Sequence, residues 1–166
     1  DAMDPADLAA RLTDATRLVW MESPGSITLE FPDIPALVAA VKAANQRRAA
    51  PPDTTQRPIL TALDNTWGAG IAFNAFDLGV DMSMQALTKY PSGGADVLMG
   101  SVVTRDVALH NALLMTHMRV GHGVAGNDAE LVLRGLPSIE LRYHAQDAAT
   151  GTLAAWMQAR PEVAQV

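Results

Sequence analysis

The sequence contains no cysteine, few charged residues and no long apolar run, and these shortages limit the functions that the chain could have. Without cysteine, the chain forms neither a disulfide framework nor a metal site with thiolate ligands. Acidic residues outnumber basic ones by 18 to 12, and the net charge of −6 argues against a surface that binds nucleic acid. No uninterrupted apolar run reaches the roughly 18 residues of a membrane-spanning helix.

Two further shortages bear on location and assembly. Residues 1–12 lack the basic start and the apolar centre of a signal peptide, so we expect a cytoplasmic protein. Only 18% of the residues are charged, which is low for a free-standing domain. We therefore expect additional surface to be buried, either in a homo-oligomer or against further chain.

The chain has enough apolar sequence for a sizeable core. Hydrophobic residues make up 49% of the 166 residues, which predicts one domain. Short apolar stretches predict four strands, over Thr16–Glu22, Pro58–Asp64, Gly79–Leu87 and Ala95–Thr104. Capping residues and helical spacing predict five helices, over Pro5–Leu12, Asp33–Arg48, Asp106–Gly121, Asn127–Arg134 and Pro137–Ala159. The strands show little alternation, which favours a parallel or mixed sheet covered on both faces by helices.

Polar residues lie at or just beyond the ends of three predicted strands. Ser23–Ser26 follows the first strand, Asp64 closes the second, and Lys89 follows the third. Ligands bind at the carboxyl ends of the strands in open α/β sheets, so these residues are candidates for one site. The polar, proline-bearing stretch Ala49–Arg57 is predicted instead to be a surface loop.

The two lysines of the chain have different surroundings. Lys42 lies on the polar flank of a predicted helix, where a solvated charge is the simplest interpretation. Lys89 lies between an apolar stretch and Tyr90, where partial desolvation would make its amine a better nucleophile toward carbonyl compounds. At this point an ordinary strand-end lysine, and an ordinary turn residue at Asp64, remain the alternatives.

The four histidines lack the spacing of a metal site. They occupy positions 110, 117, 122 and 144, with no HExxH or similar pattern. We interpret them as residues of helix faces or caps, and no metal site is predicted.

Four short motifs occur in register along the chain. They are Glu22-Ser23-Pro24, Leu63-Asp64-Asn65-Thr66, Thr88-Lys89-Tyr90 with Gly93 and Asp96 behind it, and Arg134-Gly135-Leu136. In this order and spacing the chain resembles the pyridoxal 5'-phosphate (PLP)-dependent enzymes of cystathionine and methionine metabolism. The residues that follow two of the motifs, Gly25-Ser26 and Trp67, are most similar to the bacterial cystathionine β-lyase branch of that family.

The resemblance implies an α/β fold of the aspartate-aminotransferase-like kind (fold type I). Such a fold has three layers, with helices on both faces of a mixed, mostly parallel sheet, and would be incomplete here. Residues 1–136 would form the central part of the PLP-binding large domain, and residues 137–166 a long helix leading toward a C-terminal domain. The family's chains are much longer, so the isolated chain is expected to be inactive, to expose an apolar surface and to self-associate.

The resemblance also implies a cofactor, PLP, and roles for three residues. Lys89 would bind PLP covalently through its amine and then move protons. Asp64 would pair with the pyridine nitrogen and keep it protonated, so that the ring withdraws electrons, while Thr88 would offer its hydroxyl to the phosphate. The implied reaction is α,β-elimination of cystathionine to homocysteine, pyruvate and ammonia, catalysed by a homo-oligomer (dimer or tetramer).

Several positions depart from the family's pattern and leave other hypotheses open. Ala86 stands where a phosphate-binding serine is common, Gly94 and Ala95 where a histidine and a serine are common, and Ser26 where many relatives have asparagine. Because a hydrogen bond to a charged group is worth about 1.5–3 kcal/mol, the change at Ala86 would weaken cofactor binding. A non-catalytic scaffold or interaction module is therefore a second hypothesis. Cystathionine γ-lyase, cystathionine γ-synthase and methionine γ-lyase remain alternatives within the enzyme family.

Overall fold

The structure, a computed structural model, describes residues 3–49 and 57–166. Its strands are β1 (Leu18–Glu22), β2 (Leu60–Asp64), β3 (Met82–Ala86) and β4 (Gly100–Val103). Each lies within a predicted stretch, so the four strands are confirmed with shorter bounds. Most of the predicted loop Ala49–Arg57 lies outside the described residues.

The four strands form one sheet in chain order. β1, β2 and β3 run parallel, and β4 pairs antiparallel with β3. This arrangement confirms the mixed, mostly parallel sheet. The last residue of β2, Asp64, is in register with Glu22 of β1 and Met84 of β3, so the carboxyl ends of the three parallel strands meet at one edge.

Helix α2 (Ile34–Arg48) covers one face of the sheet. Its buried residues recur at helical spacing: Ile34, Leu37, Val38, Val41 and Ala44. The helix is capped by Asp33, whose Oδ1 accepts a hydrogen bond from the Ala36 amide at 3.0 Å. The first three of the buried residues pack against Met21 and the fully buried Leu63. Because burying a large aliphatic side chain contributes about 1.5–3 kcal/mol, this layer fixes β2 and the position of Asp64.

The other helices are α1 (Pro5–Arg11), α3 (Val107–Val120), α4 (Gly126–Gly135) and α5 (Ile139–Gln158). All four were predicted, but two details were wrong. The N-cap of α4 is Ala125, without a side-chain bond, so capping by Asn127 or Asp128 is wrong because the backbone is already helical at Gly126. The chain at Pro137 forms a 3₁₀ turn, Leu136–Ser138, before α5 begins. A 3₁₀ helix over Ala75–Leu78 was not predicted.

The chain divides into two compact units. The first takes in residues 1–86 and 100–123, and its described part contains the sheet with α1, α2 and α3. The second takes in residues 87–99 and 124–166, and contains the segment that carries Lys89 together with α4 and α5. The predicted division at residue 136 stays a prediction.

Large apolar side chains are exposed in both units. In the first unit, Leu18 and Trp20 of β1 are 45% and 55% exposed, whereas Met21, on the face covered by α2, is 5% exposed. In the second unit, Trp156 of α5 is 55% exposed. The prediction of an exposed apolar surface is confirmed for the described residues. Within residues 3–49 and 57–166, no helix has the length and apolar character needed to cross a membrane.

Candidate functional site

The predicted site residue Asp64 belongs to the acid segment, residues 64–66, which begins at the end of β2. The strand before it is buried from Thr61 to Leu63, which fixes the backbone. The next residue, Asn65, continues the pairing, because its amide donates to the Met84 carbonyl at 2.8 Å. Asp64 is thus held at the carboxyl edge of the sheet between two neighbouring strands, where ligands of α/β sheets bind.

The carboxylate of Asp64 is anchored through one oxygen. Oδ1 accepts hydrogen bonds from the Thr66 amide at 3.0 Å and from the Thr66 hydroxyl at 2.5 Å. The Thr66 hydroxyl also accepts from the Ala86 amide at 2.8 Å, so it links the ends of β2 and β3. Among the described residues, no group donates to Oδ2, which leaves that oxygen available to a ligand.

Sequence reasoning included Thr66 in a motif but assigned it no role. A sequence signal for this contact exists, because an aspartate at the end of a strand often accepts a hydrogen bond from the residue two positions later and forms an Asx turn, as Asp64 does here. The neighbouring Asn65 is 4% exposed, and its Oδ1 has no hydrogen-bond partner among the described residues. A Cβ on Gly68 would lie 2.2 Å from that oxygen, so the chain needs glycine there.

The second predicted site residue, Lys89, lies in the lysine turn, Leu87–Ser92. The turn is closed by its own backbone: the Ser92 amide donates to the Leu87 carbonyl, and the Gly93 amide to the Lys89 carbonyl, each at 3.0 Å. The side chain of Lys89 is exposed and makes no hydrogen bond or ion pair with any residue in the described ranges. The side chain is therefore solvated, and the expected partial desolvation of the Lys89 amine is wrong for this structure, because no described residue covers it.

Thr88 is the third predicted site residue. Its hydroxyl bonds to the backbone of Met99, donating to the carbonyl at 3.4 Å and accepting from the amide at 3.3 Å. Both bonds are long for their type. The predicted contact of Thr88 with a phosphate stays a prediction.

The positions that depart from the family's pattern, Ala86, Gly94 and Ala95, flank the lysine turn. The Ser92 hydroxyl donates to the Thr88 carbonyl at 3.0 Å, so it is used inside the turn. Ala95 has a φ of 54°, and a Cβ on Gly94 would lie 2.7 Å from the carboxylate oxygens of Asp96. A larger side chain at position 94 would therefore clash with Asp96, in addition to changing the chemistry there.

The lysine turn is supported by α4 and α5. The Tyr90 and Tyr143 rings lie 5.1 Å apart between centroids. Burial raises the pKa of Tyr143 above its ordinary value of 10.0, and Tyr90 beside it acts in the same direction. A Cβ on Gly135 would lie 2.2 Å from the Pro91 carbonyl oxygen, so α4 and the turn approach closely. These contacts were not predicted, although Gly135 belongs to a quoted motif.

The described residues contain no cluster of side chains that could bind a metal ion. No three side chains of histidine, aspartate or glutamate come together there as a site for an ion. His117 and His122 pair with each other, with ring centroids 5.9 Å apart, across the end of α3.

Comparison with known proteins gives one family and a consistent set of relatives. The profile of the family described as Cys/Met metabolism PLP-dependent enzyme matches residues 1–166. Over 170 residues the chain is 36% identical to a cystathionine β-lyase of Escherichia coli, covering 100% of this chain and 39% of that protein. It is 36% identical over 163 residues to a cystathionine β-lyase of Bordetella avium, covering 97% of this chain and 37% of that protein.

A solved structure also matches the chain. A cystathionine γ-lyase from Micromonospora echinospora superposes with a TM-score of 0.83 at 31% identity, over 97% of this chain and 39% of that one. The chain therefore spans about two fifths of the length of the proteins it matches.

Proposed function

Because the chain belongs to the Cys/Met metabolism PLP-dependent enzyme family, we propose that it is the central part of a carbon–sulfur lyase. The proposed reaction is α,β-elimination of cystathionine, which consumes one water and releases homocysteine, pyruvate and ammonia. Its support is the 36% identity to two cystathionine β-lyases. As the chain spans 39% of the first of these relatives, the proposal concerns the activity of the longer enzyme type.

The cofactor of the family is PLP, and the described residues fit it at two points. When bound, PLP supplies an electron-withdrawing ring that stabilises negative charge at the substrate carbon. Asp64 would accept the hydrogen bond of the pyridine N–H at Oδ2, the oxygen that no described residue contacts. Thr66, bonded to Oδ1, would hold the carboxylate in that orientation.

Lys89 is proposed as the catalytic residue. Its amine would hold PLP covalently at the aldehyde carbon, whose oxygen would be released as water, and the exposed side chain, which no described residue contacts, is accessible to the cofactor. After the substrate amine takes its place, the Lys89 amine would remove the proton from the substrate Cα. Thr88 is proposed to donate its hydroxyl to the phosphate.

The single observation that carries the cofactor assignment is the anchoring of Asp64 through Oδ1 alone. An aspartate that only forms a turn needs no more than the hydrogen bond from the amide two residues later. Here the threonine hydroxyl fixes the carboxylate and at the same time ties it to the last residue of β3, three positions before Lys89 in the chain.

Specific observations support two alternatives to the β-lyase function. The superposed structure from Micromonospora is a γ-lyase, which keeps γ-elimination, and with it the γ-synthase and methionine γ-lyase reactions, among the candidates. A non-catalytic scaffold is favoured by the loss of a common serine at Ala86 and at Ala95 and of a common histidine at Gly94.

The test combines cofactor capture with product analysis. The polypeptide as its host expresses it is purified, incubated with PLP, reduced with borohydride and digested, and the modified lysine is located by mass spectrometry. We expect modification at Lys89, retained in Lys42→Ala and absent in Lys89→Ala. With cystathionine, pyruvate as product supports β-elimination and 2-oxobutanoate supports γ-elimination. No capture at saturating PLP would leave the scaffold hypothesis.

We further propose that the protein is cytoplasmic and forms a homodimer or homotetramer. Exposed apolar side chains such as Leu18, Trp20 and Trp156 support burial against another chain. Sedimentation across a range of concentrations tests the assembly, and a monomer at high concentration would contradict it. Fractionation of host cells tests the location.

A further inference from the structure

We infer that Arg142, at the end of the first turn of α5, is a positioning residue that holds the lysine turn so that the Lys89 amine reaches PLP. The inference rests on the role proposed above for Lys89. All the contacts that support it lie within the second compact unit, which contains both residues.

The lysine turn depends on support at its far end. The carbonyl of Lys89 is bonded by the Gly93 amide, and Gly93 has a φ of 71°, a conformation that other residues rarely adopt. The turn is therefore closed by a residue whose own conformation must be maintained. Whatever packs against Gly93 controls the backbone at Lys89.

Arg142 is the group that packs there. A Cβ on Gly93 would lie 2.6 Å from both Cζ and Nη1 of Arg142, so the guanidinium lies directly against the glycine backbone. Even a methyl group at this position would displace the guanidinium. The positive φ and the close approach together explain why glycine is needed.

The guanidinium is itself held in place by neutral groups. Its Nε donates to the Ser138 hydroxyl at 3.1 Å, and its Nη2 donates to the Gly135 carbonyl at 3.0 Å. No carboxylate in the described ranges forms an ion pair with Arg142. Its position is thus set by the planar fork of donors, a geometry that lysine does not reproduce.

Two further contacts act on the same turn. Gly135, whose carbonyl receives the Arg142 bond, lies against the Pro91 and Ser92 carbonyl oxygens, at 2.2 and 2.3 Å from where a Cβ would be. Tyr143, next to Arg142, contacts the Tyr90 ring. The residues after Lys89 are thus held at successive points by one side of the α4–α5 junction, and Arg142 bridges that junction to Gly93.

A positioning role predicts an effect that loss of stability alone does not produce. Displacing a reacting group by about 1 Å can reduce a rate by about a hundredfold. We therefore expect Arg142→Met to slow covalent capture of PLP at Lys89 by about tenfold or more while the protein remains folded. Arg142→Lys keeps the charge without the fork and should recover only part of the rate.

The experiment uses the polypeptide as its host expresses it, with PLP as the probe. Capture over time is stopped with borohydride and measured by mass spectrometry in the unaltered protein, Arg142→Met, Arg142→Lys and Ser138→Ala. Circular dichroism and thermal unfolding confirm that each variant is folded at the assay temperature. Arg119→Met, an exposed arginine of α3, is the matched control, and modification at the exposed Lys42 is the internal one.

The expected order of capture rates is unaltered protein and Arg119→Met, then Ser138→Ala and Arg142→Lys, then Arg142→Met, with Lys42 unchanged throughout. Normal capture at Lys89 in Arg142→Met, or an equal loss in Arg119→Met, would overturn the inference alone. If Arg142→Met does not fold, Ser138→Ala decides, because normal capture by that folded variant overturns the inference. If the unaltered protein captures no PLP, or Lys89→Ala still captures it normally, the proposed function fails and this inference with it.

Discussion

The acid segment and the lysine turn are stabilised in different ways. Asp64 continues a buried strand, and the group that orients its carboxylate is Thr66, two residues later. Lys89 lies in a turn whose support comes from Gly135, Arg142 and Tyr143, about fifty positions later in the chain. The comparison shows that one proposed site residue, Asp64, is oriented by its immediate neighbours, whereas the other, Lys89, depends on tertiary packing.

The largest expected effect is on the support of the lysine turn. Gly135→Ala places a Cβ 2.2 Å from the Pro91 carbonyl oxygen, and the clash should lower the free energy of unfolding by about 3 kcal/mol. Urea denaturation measures this. Gly151→Ala is the matched control: it has no neighbour within 4 Å of the new Cβ and should stabilise α5 by about 1 kcal/mol. Equal effects of the two changes would contradict the role of close packing.

The next effect tests the local orientation of Asp64. Thr66→Val keeps the shape of the side chain but removes the hydroxyl that donates to Asp64 and accepts from the Ala86 amide. We expect the free energy of unfolding to fall by about 2 kcal/mol, and the dissociation constant for PLP to rise. Thr66→Ser retains the hydroxyl and should recover most of both quantities. If the valine and serine variants behave alike, the hydroxyl does not orient the carboxylate.

A smaller effect is expected from adding a capping side chain at the start of α4, where the N-cap residue provides none. Ala125 is the N-cap of α4 and provides no side-chain hydrogen bond. Ala125→Ser should stabilise the protein by about 1 kcal/mol, because a serine oxygen accepts from a free amide of the first turn. Thermal unfolding measures the gain. Ala129→Ser, inside the same helix, is the control and should give no gain.

The smallest effect concerns the aromatic contact between Tyr90 and Tyr143. Burial raises the pKa of Tyr143 above its ordinary value of 10.0, so the folded protein favours the neutral phenol. The resulting stabilisation is present below pH 10.0 and is lost as the pH rises through the folded-state pKa. Tyr143→Phe should change stability at neutral pH by less than about 0.5 kcal/mol and should reduce this alkaline loss. Denaturation curves measured across the alkaline range test it, and parallel pH profiles would contradict it.

Much of the fold could be predicted because its signals are short in range. The strand ending at Asp64 was predicted from an apolar run, and α2 from the 3.6-residue spacing of Leu37, Val38 and Val41. The start of α4 was misjudged, because Asn127 and Asp128 are good capping residues that the helix begins before. There the conformation of the surrounding chain outweighed the local preference.

The site was predictable only in part for the same reason. Asp64, Lys89 and Thr88 were selected because they stand in short motifs. Thr66 was within reach of sequence reasoning, since its partner is two residues away. Arg142 was not, because neither its spacing from Lys89 nor its neighbours in the helix indicate a contact with Gly93.

The sequence by itself determined the strands, most helix positions, the family and the residue types proposed to act on the cofactor. These features depend on periodicity and on short motifs, which are properties of neighbouring residues. Only the tertiary structure decided that the Thr66 hydroxyl also binds the Ala86 amide of β3, and which residues support the turn of Lys89. Both depend on residues that are distant in the sequence and come into contact only in the folded chain, where close packing and hydrogen-bond geometry determine which groups interact.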